Sequence, residues 1–129
     1  MALTNIVIAR GTRARLRGWL GRRDAPRDEG LLLVPCESIH TVGLRFPIDV
    51  ILLDGDGRVL GARHALRPWR LAIAWGTRAV LELPAGTLHA SGLHAAGRLR
   101  FRCGEQSWLP EALARATACP PRLSVERAP

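Results

Sequence analysis

The chain has 129 residues, the length of one domain, and its 47% hydrophobic content is enough to fill a core. Its formal net charge is +8, and all 19 basic residues are Arg. These Arg are scattered and come with no Tyr and only two Phe, which argues against a base-stacking platform and against specific nucleic-acid binding.

Three Cys stand at 36, 103 and 119, an odd count without a CxxC pair. That is neither a disulfide framework nor a zinc-ribbon spacing, so reduced thiols in a cytoplasmic protein are expected. The first ten residues lack the basic segment of a signal peptide. No stretch reaches the ~20 apolar residues needed to span a bilayer. A soluble, monomeric domain follows.

Thr4 to Ala9 is a β-branched run and predicts a first strand. From Thr12 the period changes: Leu16, Trp19 and Leu20 recur at helical spacing among several Arg, which predicts a short amphipathic helix ending near Gly21. Leu31 to Val34 is a strand stopped by Pro35, and Ser38 to Thr41 is a short extended piece. Ile48 to Leu53 is apolar on both faces except for Asp49, so it predicts a central, covered strand. Asp54-Gly-Asp-Gly57 turns it into a second run, Arg58 to Ala65, making a hairpin. The turn begins like a calcium loop, but Arg58-Val-Leu60 supplies no further oxygen ligands.

Leu66 to Arg70 is a loop that carries Trp69 between Arg67 and Arg70, and Leu71 to Trp75 is ambiguous, a strand edge at most. Arg78 to Leu83 is a strand. Thr87 is placed to cap a single turn over Leu88 to Ser91, closed by Gly92. Leu99 to Cys103 alternates apolar residues with Arg and predicts a half-exposed strand. Trp108 to Ala118 fits a last helix. Pro120-Pro121 ends it, leaving 120–129 as a flexible tail on a single domain of residues 1–119.

The expected class is therefore mainly β (α+β): a compact antiparallel β-barrel-like domain with one helix in the N-terminal half and a short C-terminal helix. Barrel closure is the economical way to hide strand edges.

Candidate chemistry centres on Asp49, an acid in a buried strand that needs a partner. His40, Arg45 and the backbone amides of the 42–46 connector are the nearest groups in sequence. As chemistry, His40 would act as base, Asp49 would orient it and Arg45 would bind an anion. As structure, the same residues form a network that neutralises the buried acid. Glu82, between Leu81 and Leu83, is expected to pair with a cross-strand Arg such as Arg63 or Arg100. The four His show no HxH or HxxxH pair, so no metal ligands and no cofactor are expected. Ser38 and Cys36 lack an elbow or an oxyanion-hole signature.

The ordered pieces Arg17-Gly18-Trp19-Leu20, Gly30 to Val34, Ser38-Ile-His-Thr41, Arg45-Phe-Pro-Ile-Asp49, Gly57-Arg58-Val59 and Val80 to Thr87 with Gly92-Leu93 are together similar to the DUF192 (UPF0127) family. The likeness spans residues 10 to 101 and resembles the branch with an Ile-His-Thr segment, where other members carry Trp-Met-Lys-Asn-Thr. Many relatives have an acid where this chain has Arg98. The resemblance implies a compact β-barrel-like domain with an added helix and no established activity.

The expected function is a non-catalytic binding module for a polar small ligand or partner peptide at the barrel mouth, lined by His40, Arg45, Asp49 and Trp69. The alternative is a small hydrolase using His40 and Asp49. No nucleophile, base and oxyanion set can be assembled, which favours the first.

Overall fold

The structure, a computed structural model, describes residues 2–10, 19, 22–24, 28–118 and 120–129. Its strands are β1 (Ala2–Ala9), β2 (Gly30–Leu33), β3 (Ser38–His40), β4 (Ile48–Leu53), β5 (Val59–Leu66), β6 (Leu71–Ile73), β7 (Ala79–Pro84), β8 (Leu99–Cys103), β9 (Gln106–Trp108) and β10 (Arg122–Arg127). Two short helices, α1 (Thr87–Ser91) and α2 (Pro110–Arg115), and a 3-10 turn at Leu93–Ala96 complete the described elements. The fold is β-rich α+β.

Eight strands form one sheet in the order β5-β4-β7-β2-β1-β10-β8-β9, and β3 and β6 form a separate two-stranded ribbon. β4 lies between β5 and β7 and is buried at every position, as its doubly apolar sequence requires. Alternation sends Ile48, Val50 and Leu52 to one face with Trp19, Leu44 and Phe46. Ile51 and Leu53 go to the other face, with Leu81, Leu83, Leu88, Phe101 and Val125. Each fully buried aliphatic side chain contributes roughly 1.5–3 kcal/mol, so these two faces carry most of the stability.

The sheet is not closed into a barrel. It curls until the start of β5 meets the start of β8: Leu99 N–H donates to the Gly57 carbonyl (2.8 Å) and Val59 N–H to the Gly97 carbonyl (2.9 Å). Beyond that point β9 occupies the β8 edge that closure would offer to β5. Gly57 is needed at this junction, because its φ is +84° and a Cβ there would collide with the Leu99 carbonyl oxygen. β1 and β2 pair in parallel, which requires a long crossover between them. The helix expected from Thr12 to Gly21 falls on that crossover and, apart from Trp19, lies outside the described residues.

The C-terminal end differs most from the sequence expectation. Residues 122–127 are not a tail: β10 lies between β1 and β8, with Leu123 and Val125 buried. Trp108 is not helical either. It pairs with Phe101 in the β8–β9 hairpin. Leu109 stays extended before Pro110, which occupies the first turn of α2. Thr87 is the first residue of α1 rather than its cap, and Gly86 takes the cap position with no side-chain bond.

Candidate functional site

Asp49 is 1% exposed, and both of its carboxylate oxygens are used. Oδ1 accepts the Ala65 N–H and Oδ2 the Leu88 N–H, each at 2.8 Å. The first bond depends on a β-bulge. Ile48 pairs with Leu66 and Val50 with Arg63, so two β5 residues, His64 and Ala65, stand opposite Asp49 alone. Ala65 takes φ +48° there, and its N–H turns toward the carboxylate. The second bond satisfies an otherwise free N–H at the start of α1. Asp49 is thus a clamp joining β4, β5 and α1. No hydrogen bond or ion pair among the described residues links it to His40 or Arg45.

His40 and Trp69 lie at the ribbon instead. His40 pairs with Leu71, and Ser38 with Ile73. Beyond β3, Thr41 carries the pairing onward. Its N–H donates to the Arg70 carbonyl (2.8 Å), and its carbonyl accepts the Trp69 N–H (3.1 Å). Its hydroxyl donates to the Arg67 carbonyl (2.7 Å) and accepts the Arg70 N–H (2.8 Å). Thr41 is fully buried and holds the 67–70 loop in place. Trp69 sits at φ +64°, a costly conformation for a bulky residue. Arg45 is exposed on the connector between β3 and β4.

The ribbon has an unusual outer face. Trp69, Leu71, Ile73 and Trp75 are 68%, 63%, 62% and 99% exposed, while the small Ala72 between them is buried. Trp75 stands at the tip of a turn closed by Thr77 N–H to the Ala74 carbonyl (3.2 Å), with Gly76 at φ +88°. Beside it runs a groove of about 640 Å³ lined by Glu37, Ile73, Ala74, Trp75, Gly76 and Thr77. Sequence reasoning marked Trp69 but not Leu71, Ile73 or Trp75. Large and small residues do alternate from 71 to 75, but hydrophobicity alone does not say that the large ones face outward.

Neither Arg63 nor Arg100, the expected partners, pairs with Glu82. It is 3% exposed and lies on the sheet face of Val80, between Leu31 of β2 and Val50 of β4. Among the described residues its Oε2 has no hydrogen-bond partner, and burial pushes its carboxyl up to about 7. Arg100 is instead bound to Glu126 at 2.7 Å, and Arg63 donates to the Ala62 carbonyl. His64 on the β5 bulge meets His94 of the 3-10 turn edge to face, with ring centroids 4.7 Å apart, a pairing invisible in the sequence spacing. Among the described residues no group of three or more His, Cys, Asp or Glu is placed to hold a metal ion. The Asp54 carboxylate accepts the Asp56 and Arg58 N–H groups of its own turn, both at 2.9 Å. No described helix is long and apolar enough to cross a membrane.

The sequence of this domain matches a known family. The family model DUF192 (Uncharacterized ACR) matches residues 2–101. The chain belongs to the DUF192 family. No curated protein matches it. Two solved structures resemble this DUF192 domain. One is a protein of unknown function from Novosphingobium aromaticivorans DSM 12444, with a TM-score of 0.61 and 21% identity over 71% of this chain and 77% of that one. The other, from Sinorhizobium meliloti 1021, is called a "putative transcription regulator" and has a TM-score of 0.61 and 20% identity over 70% and 84% of the two chains. At these identities the likeness is one of fold.

Proposed function

We propose that this DUF192 domain is a non-catalytic recognition module whose contact surface for a partner polypeptide is the outer face of the β3–β6 ribbon. The observation that carries the proposal is the exposed row Trp69, Leu71, Ile73 and Trp75. Contiguous apolar surface of this kind is rare on an isolated domain and marks interaction sites, and Trp is the residue type most enriched among interface hot spots. His40, on the same ribbon, and the exposed Arg45 supply polar contacts at its margin. Asp49 supports the surface indirectly, by fixing the β5 bulge that leads into the 66–70 loop.

A hydrolase using His40 and Asp49 has little to stand on, because both Asp49 oxygens already accept backbone N–H groups. The name of the Sinorhizobium meliloti protein gives nucleic-acid binding no support in this charge pattern. Arg78, Arg100, Arg102 and Arg115 are each paired with Glu111 or Glu126.

The test is to select peptides on the wild-type protein by display and follow their binding by tryptophan fluorescence. Trp75→Ser and Ile73→Ser should each weaken the selected peptides at least tenfold, about 1.4 kcal/mol. Glu105→Gln, on the distant β8–β9 turn, should change nothing. Peptides that bind both ribbon variants as tightly as wild type would sink the proposal.

A further inference from the structure

We propose that the partner is a second copy of this chain, docked ribbon against ribbon about a two-fold axis. This rests on the ribbon being a contact surface and departs from the monomer that the sequence leads one to expect. A two-fold interface must be complementary to itself, so that residue i meets j while j meets i. The ribbon meets that condition in shape. Its row is bulky at both ends, Trp69 and Trp75, and aliphatic in the middle, Leu71 and Ile73. An axis near Ala72 lays Trp69 on the partner's Trp75 and Leu71 on the partner's Ile73. The groove beside Trp75, about 640 Å³, then receives the partner's Trp69 indole.

The ribbon meets the condition in charge as well. Arg67 and Arg70 are exposed at the Trp69 end, and Glu37 is exposed at the Trp75 end, on the groove wall. None of the three makes an ion pair among the described residues. Arg78 feels the charge of Glu37, but its guanidinium is held by Glu111 at 2.7 Å. The same two-fold rotation brings Glu37 of each copy to Arg67 and Arg70 of the other. An anionic bilayer would meet the Arg end well and the Glu37 end badly. The four side chains together expose on the order of 600 Å² per copy, approaching the ~800 Å² per partner of a standard interface.

Sedimentation velocity of the full chain over a concentration series tests this. Wild type should form a dimer whose fraction rises with concentration. Ile73→Asp, which keeps a surface position but places a charge in the row, should raise the dissociation constant at least roughly a hundredfold. Glu37→Arg alone, and Arg67→Glu with Arg70→Glu alone, should each weaken the dimer about tenfold. Mixed together, these two proteins should form a heterodimer at wild-type strength, because one of its two charge contacts is then restored in reverse and the other is the native one. Circular dichroism of each variant separates loss of the dimer from loss of the fold. A wild type that stays monomeric at every concentration overturns the inference, as does a dimer indifferent to Ile73→Asp or to the charge reversals. A monomer that co-sediments with phosphatidylglycerol vesicles through Trp75 overturns it in favour of a lipid surface. If the protein is monomeric while displayed peptides still depend on Trp75, the self-association fails and the contact surface stands. If neither dimer nor peptide binding depends on the ribbon, both fail.

Discussion

The Thr41 hydroxyl donates to the Arg67 carbonyl across 26 residues of sequence, at 2.7 Å, and accepts the Arg70 N–H on its other side. One buried side chain therefore sets the loop that presents Trp69. Thr41→Val keeps the shape and removes both bonds, leaving the Arg70 N–H and the Arg67 carbonyl to find water. Each lost bond costs about 1–3 kcal/mol where the group stays buried. The urea midpoint should fall, and amide exchange at Arg70 should speed up more than exchange in β4. A variant with unchanged exchange at Arg70 would show that the loop holds its shape without Thr41.

Asp49 is a second clamp of this kind, and its loss should be severe. Asp49→Ala leaves the Leu88 and Ala65 N–H groups without acceptors. Hydrogen bonds to a charged group contribute ~1.5–3 kcal/mol each, so the variant should lose roughly 3–5 kcal/mol of the ~5–15 that holds a small domain together. His40→Ala, at an exposed ribbon position, should stay within about 0.5 kcal/mol of wild type. Urea melts of the three proteins compare them directly. An Asp49→Ala protein as stable as wild type would remove the clamp role.

The C-terminal strand leads to a third expectation. A chain ending before Pro120 lacks β10, which exposes the edges of β1 and β8 and uncovers the core around Leu123 and Val125. Burial of those two side chains alone contributes about 3–6 kcal/mol. The truncated chain should be unfolded or aggregated at 37 °C, through the exposed edges. A cooperative melt near the wild-type temperature would mean that the sheet closes without β10.

That truncation reverses what the sequence leads one to expect, for a physical reason. Leu123 and Val125 alternate with Arg122, Ser124 and Glu126, the period of a half-buried strand, but the signal covers few residues, follows two Pro and sits at the chain end. The long local signals were legible: the apolar run of β4, the Asp54–Gly57 turn and the alternation of β7 and β8 all lie where the sequence puts them. Around the ribbon, the exposure of Trp69 and the extended piece at His40 were legible. The partners of Asp49 were not, because Ala65 and Leu88 lie 16 and 39 residues away and a backbone N–H carries no residue signature. The apolar row was hidden by its inversion. The ribbon buries Ala72 and turns Leu71 and Ile73 outward, the reverse of what hydrophobicity alone assigns.

Glu82 gives the domain a pH dependence that can be signed in advance. Its carboxyl ordinarily loses its proton near 4.5, whereas burial holds the proton in the folded domain up to about 7. The unfolded chain is therefore charged first. The stability this group contributes is fully present below 4.5, declines as pH rises through the window from 4.5 to about 7, and is lost above it. The span corresponds to about 3 kcal/mol. Glu111 and Glu126 act in the opposite sense and in another window. Hydrogen bonds from Arg78 and Arg115, and from Arg100, lower their carboxyls below 4.5, so their contribution holds above 4.5 and is lost only on further acidification. Glu82→Gln removes the charge while keeping the shape. Its stability should exceed that of wild type at about pH 8 and converge with it at about pH 4.5. The two curves, from urea melts at a series of pH values, differ only by the Glu82 titration, so the His residues and the surface acids cancel. A constant difference across this window would mean that Glu82 keeps its ordinary carboxyl behaviour in the fold.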